Sequence, residues 1–170
     1  MSTAPSSVPE VWLRGPVEGF DPLVMPIVHA LIQAREDLAQ LAATVPAEHV
    51  WQRPGGAASI GFHARHTAGA LDRLFTYARG EALTEAQKAE MKAEGSAGDP
   101  LPLVIRGVEA TIDRALDQLR ATTREALLHP RTVGRAALPT NTLGLLFHAA
   151  EHSTRHAGQA VTTAKILGGG

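Results

Sequence analysis

Cysteine is absent from this 170-residue chain. That excludes disulfides, thiolate-bound zinc and a cysteine nucleophile supplied by the protein itself. Aromatic residues make up only 4%, so aliphatic side chains must fill the core. No sign of charge predominates: 16 Lys and Arg stand against 17 Asp and Glu, with no basic block. Nucleic acid or an anionic membrane surface is therefore not an expected partner. No run approaches the roughly 18 apolar residues of a membrane span. The N-terminus lacks a basic stretch followed by an apolar core, so no secretory signal is expected. These absences together fit a cytoplasmic protein. A G-x-S-x-G elbow is missing too, which argues against a Ser-His-Asp hydrolase.

What is present is an ordinary globular balance, 44% apolar and 19% charged. The length suits one domain with a sizeable core. Ser, Pro and Gly over residues 1–20 predict a loose N-terminal arm. The domain itself is expected over 21–167, with a frayed tail at 168–170.

Four segments show helical periodicity. In the first, Leu23, Ile27, Ala30, Leu31, Ala34, Leu38, Leu41 and Val45 share one face, and Pro46 stops the run. Ser59 is a fitting N-cap for the second. Its inward stripe is Ile60, His63, Thr67, Ala70, Leu71, Leu74 and Tyr77, with His66 at the edge, and Gly80 ends it. Thr84 and Gln87 form a capping-box pattern within the polar stretch 81–99. Asp99-Pro100 opens the third segment, whose stripe runs from Leu101 to Leu119. Residues 129–140, with two prolines and a glycine, read as a loop. Asn141 or Thr142 caps the fourth, which runs to about Leu167. No strand-like alternation and no fixed repeat occur, so an all-α four-helix bundle is expected. The long link after the second helix leaves simple up-down-up-down order open.

The fourth segment carries unusual chemistry. Asn141, Leu145, His148, His156, Gln159, Thr163 and Ile166 all fall within about 40° of His152 on a helical wheel. This face is expected to point at the core, where so many polar groups need a shared partner. Imidazoles four residues apart on a helix can bind one ion. A third ligand must come from another helix, and the second offers His66 and His63. Three neutral imidazoles leave one coordination position open, as in catalytic zinc-type sites. His29, His49 and His129 are expected at the surface. Leu143, Phe147 and Val161 lie opposite the histidines, and a homodimer or the 1–20 arm is expected to cover them.

The stretch Ser59-Ile60-Gly61-Phe62-His63-Ala64-Arg65-His66, followed by Leu71-Asp72-Arg73-Leu74, resembles the second helix of the DinB/YfiT-like superfamily. The stretch from His148 to Gln159, with His152-x-x-x-His156-x-Gly158-Gln159, is similar to its C-terminal signature. Trp51 with Pro54, and Arg79-Gly80-Glu81-Ala82-Leu83, add to a likeness that spans roughly residues 22–167. The resemblance implies up-down-down-up connectivity and a three-histidine site for a divalent metal, Ni or Zn. Carried over by position, the ligands are His66, His152 and His156. His148 in place of His156, and His63 in place of His66, are the competing assignments. His63 and His148 are otherwise proton shuttles or supports, with Gln159 and Glu151 as groups that orient a ligand.

Relatives include thiol transferases that use mycothiol or bacillithiol, and a mycothiol-dependent maleylpyruvate isomerase. The resemblance therefore implies a metal-dependent enzyme with a small-molecule substrate, thiol transfer being favoured over hydrolysis. On that resemblance a low-molecular-weight thiol is the expected cosubstrate; the absence of cysteine fits an external thiol, and equally water, as the nucleophile. The alternative is a non-catalytic metal-binding or stress-response bundle. It draws support from the lack of a general-base carboxylate on the inward faces.

Overall fold

The computed structural model describes residues 8–168. Four long helices make the bundle: α1 (Met25–Thr44), α2 (Ile60–Ala78), α4 (Leu101–Ala121) and α6 (Thr142–Ile166). Between them lie a short α3 (Glu85–Ala93), a one-turn α5 (Arg124–Leu127), and strands β1 (Pro130–Val133) and β2 (Leu138–Asn141). Local chemistry sets these boundaries. The Ser59 hydroxyl accepts from the Phe62 N–H at the start of α2. Thr84 and Gln87 close a full capping box on α3. Asn141 accepts from the Gly144 N–H and starts α6. Each cap satisfies N–H groups that a helix start leaves unbonded. Past α2, Gly80 takes φ 81, the left-handed turn that ends a helix.

Cross-helix bonds give the connectivity. Arg35 of α1 pairs with Asp113 of α4, and Asp21 before α1 pairs with Arg124 after α4. Numbers rise on one side as they fall on the other, so α1 and α4 are antiparallel. On α2, Asp72 reaches Arg114 and the Phe75 carbonyl accepts from Gln118, so α2 and α4 run parallel. His63 meets His156 and His66 meets His152, so α2 and α6 are antiparallel. The order is up-down-down-up. Each long helix packs on two others, α2 on α4 and α6, α1 on the same pair. The core is aliphatic as expected: Val28, Leu31, Leu38, Ile60, Leu71, Ile112, Leu119 and Leu146 are fully buried.

Several expectations need correction. Residues 130–141 form an antiparallel hairpin, pairing Pro130 with Asn141 and Val133 with Leu138, rather than a loop. Four-residue strands are too short to show alternation, and their prolines are tolerated because both strands are edges. Leu23 is exposed, and Val24 is buried in its place, because α1 begins only at Met25. His29 and His49 are half-buried, and His29 bonds the Gly15 carbonyl at 3.0 Å, whereas His129 is exposed as expected.

The inward face of α6 differs most. Its buried residues are Thr142, Leu145, Leu146, Ala149, Ala150, Ser153, Ala157, Ala160, Thr163 and Ala164, so Leu145 and Thr163 of the expected inward row are buried as expected. They centre about a quarter turn from His152. The histidine row therefore borders the core instead of facing it. Each four-residue step rotates that row by about 40°. His148 is accordingly exposed, His152 and His156 are half-buried, and Gln159 and Ile166 return to solvent. Small alanines mark the core stripe because α6 packs closely on α1 and α2.

The expected 1–20 arm falls partly outside the described residues, at 1–7, as does the tail at 169–170. From Val8 the chain lies against α1: the Val11 N–H donates to Gln33, and Arg14 pairs with Glu36 at 2.7 Å. On the back of α6, Leu143 and Val161 pack partly buried against the core, while Phe147 is 60% exposed.

Candidate metal centre

Antiparallel packing of α2 on α6 brings two histidine pairs face to face. His66 Nε2 lies 2.9 Å from His152 Nε2, and His63 Nδ1 lies 2.9 Å from His156 Nδ1. One nitrogen each from His66, His152 and His156 falls within 4.8 Å of the others. The His156 ring centroid is 4.5 Å from those of both His66 and His152. Phe62, one turn before His66, stacks on its ring at 5.2 Å. Trp51 packs so closely on Gly61 that a Cβ there would collide with its ring. Arg65 lies over Trp51 at 4.7 Å, and the indole N–H donates to the Asp99 carbonyl. These contacts brace the turn of α2 that presents the histidines.

A carboxylate completes the cluster, and sequence reading missed it. Glu94, just past α3 and 5% exposed, accepts from His66 Nδ1 at 2.6 Å and from Arg73 at 2.6 Å. A Cβ on Gly69 would run into the Glu94 carboxylate, so the pair depends on glycine there. The capping box on α3 and the bonds from Gln87 to Asp72 and Thr76 hold this segment on α2. Glu151 instead bonds His148 at 2.8 Å and Arg155, at the solvent side. Gln159 is exposed.

The electrostatics favour neutral imidazoles. Burial, and then repulsion from His66, His152, His63 and Arg155, lowers His156 to about 3. Burial and the charge of His66 also lower His63. His152 is lowered by burial first, then by His66, His148 and Arg155. Burial works to raise Glu94, but its bonds to His66 and Arg73 outweigh that and hold it below the usual carboxylate range. Nδ1 of His152 is buried without a hydrogen-bond partner among the described residues. Such an orphan costs about 1–3 kcal/mol, which the fold bears to keep His152 in the cluster.

The donor set fits a divalent transition metal. A metal takes the neutral form of His66; in that form an Nδ1–H donated to Glu94 would leave the Nε2 lone pair facing His152. Nitrogens 2.9 Å apart on His66 and His152, with one of His156 within 4.8 Å of both, suit ligands at about 2.0–2.1 Å from one ion. The site is also accessible. A cleft of about 800 Å³ opens on His66 and His152, with Tyr77 and Arg135 in its wall.

Residues 30–160 match the family model of the DinB superfamily. No curated protein matches the chain. Among solved structures, the conserved protein of a locus from Enterococcus faecalis superposes with a TM-score of 0.70 at 16% identity, covering 86% of this chain and 98% of that one. A DinB-like protein from Bacillus cereus gives 0.63 at 14%, covering 85% and 92%. YfiT from Bacillus subtilis, described as a probable metal-dependent hydrolase with an unusual four-helix bundle topology, gives 0.66 at 13%, covering 92% and 94%. At these identities the structural likeness speaks for the fold alone.

Proposed function

The chain belongs to the DinB superfamily, and on that footing we propose that it is a metal-dependent enzyme for a small-molecule substrate. His66, His152 and His156 hold one divalent ion, Ni or Zn. One observation carries this reading: the three imidazoles converge beside an open cleft. A metal that only stabilised the bundle would sit in a closed site, so the cleft favours an enzyme over a non-catalytic bundle.

The protein's own groups have separable roles. Glu94 fixes the tautomer and ring orientation of His66, and Arg73 keeps that carboxylate ionised. His63 supports His156 through their shared hydrogen bond. His148 is exposed and paired with Glu151, and its ring lies 5.4 Å from that of His152. On this reading it passes protons between His152 and solvent. When bound, a divalent cation would lower the pKa of a thiol or of water near neutral pH.

Transfer of an external low-molecular-weight thiol to an electrophile is the favoured reaction, on the resemblance to thiol transferases; a chain without cysteine is consistent with it. Hydrolysis is the second reading, supported by the description of the YfiT neighbour. The test incubates Ni- or Zn-loaded protein with bacillithiol or mycothiol and a panel of electrophiles, following thiol adducts by mass spectrometry. Metal-dependent adduct formation, lost in His66→Ala, is expected. Metal-dependent hydrolysis with the thiol unconsumed would replace thiol transfer by the second reading. No turnover of either kind would contradict the enzyme assignment.

A further inference from the structure

The cleft beside the histidines has one-sided electrostatics. Arg73, Lys88 and Arg135 all contribute to its lining, and no Asp or Glu does among the described residues. The three cations are not equivalent. Arg73 is buried and committed to Glu94 at 2.6 Å. Lys88 is half-exposed and shares its charge with Glu85 at 2.7 Å. Arg135, on the β1–β2 turn, has no ion pair among the described residues and is solvent-accessible. Leu74, Leu83 and Met91 give the same cleft an apolar wall. Met91 is left 45% exposed on a short polar helix that otherwise buries nothing.

We infer that the cleft selects a small amphipathic anion, whose acidic group is held by Arg135 with help from Lys88. Its apolar body lies along Leu74, Leu83 and Met91 and directs the reactive end toward His66 and His152. This rests on the reading of the cleft as the substrate site. The physical case is charge complementarity in a low-dielectric groove. An unpaired guanidinium at apolar walls, with no carboxylate in the lining, raises the local concentration of anions. A guanidinium also offers the paired N–H donors that match a carboxylate, sulfonate or phosphate. A neutral or cationic ligand of the same shape gains none of this. The β1–β2 hairpin, unforeseen from the sequence, thereby serves the site by carrying the selecting residue to the cleft rim.

The test uses hexanesulfonate, whose anionic group is a weak metal ligand, against the neutral 1-hexanol. Both are titrated by calorimetry into EDTA-treated and Zn-loaded full-length protein. The wild type is expected to bind the sulfonate about tenfold or more tightly than the alcohol, the equivalent of one charge-assisted contact. Arg135→Gln should remove that preference while leaving the alcohol and the bound Zn unchanged, and Arg135→Lys should restore part of it. Hexanoate and hexyl phosphate then rank the acidic groups. Equal affinity for sulfonate and alcohol, no saturable sulfonate binding, or an unaltered preference in Arg135→Gln would overturn the inference. Because the preference is also read without metal, its failure is separate from any failure to bind Zn.

Discussion

Glu94 and His66 stand 28 residues apart and meet in a 2.6 Å hydrogen bond between the buried carboxylate and Nδ1 of the ring. This pairing turns Nε2 of His66 toward the other imidazoles, so it should control metal affinity without itself binding metal. Glu94→Gln keeps the volume and loses the charge. Zn affinity measured by calorimetric competition should fall about 10–100-fold, the usual range for such supporting groups. Glu151→Gln, which alters a carboxylate bonded to His148 and Arg155, should leave it unchanged. Equal effects of the two variants would remove Glu94 from this role.

Gly69 and Gly107 are both helical glycines, yet alanine should act on them in opposite directions. At Gly69 the new methyl collides with Glu94 and Arg73, whereas at Gly107 it meets nothing within 4 Å. Gly69→Ala should destabilise by about 1–3 kcal/mol through overpacking. Gly107→Ala should stabilise by roughly 0.5–1 kcal/mol through helix propensity. Urea denaturation midpoints read both. A neutral Gly69→Ala would mean that the Glu94–Arg73 pair shifts freely.

Acid should weaken the metal-free fold. His156 is lowered from 6.5 to about 3, and His63 and His152 are lowered as well. A depressed histidine binds a proton more readily unfolded than folded, so its stabilising effect is full above about pH 6.5 and declines as pH falls toward 3. Glu94, depressed below its ordinary value, loses stability in the same direction lower in the range. Calorimetry of EDTA-treated protein should show Tm dropping from pH 7 to pH 4.5, with a shallower drop in His156→Asn. A Tm that rises on acidification would contradict the neutral-imidazole description.

Much of this was legible in the sequence because it is local. The Ser59 cap, the Thr84–Gln87 box and the Asn141 start of α6 depend on residues three apart. The histidine spacing on α6 and the matching pair on α2 are equally short-range signals. What was not legible depends on tertiary placement. Glu94 sits in a polar stretch with no periodicity and becomes a buried partner only because α3 folds back on α2. The tilt of the histidine row off the core face follows from alanines at Ala149, Ala157 and Ala160, which a hydrophobicity pattern ranks below leucine. The hairpin was hidden by its prolines and its four-residue strands.

Phe147, 60% exposed on the outer face of α6 that also carries the half-buried Leu143 and Val161, is expected to be covered in solution by a second copy of the chain. Light scattering should give a dimer for the full-length protein and a monomer for Phe147→Ser with unchanged helicity. A monomeric full-length protein would sink the dimer expectation.

His66, His152 and His156 are expected to bind one divalent ion together. Elemental mass spectrometry on protein purified without a polyhistidine tag, beside His152→Ala, tests it most directly. The prediction is about one Ni or Zn per chain in the native protein and almost none in the variant. Native protein that stays metal-free after incubation with either ion would contradict the account and leave the cluster a hydrogen-bonded layer of neutral histidines.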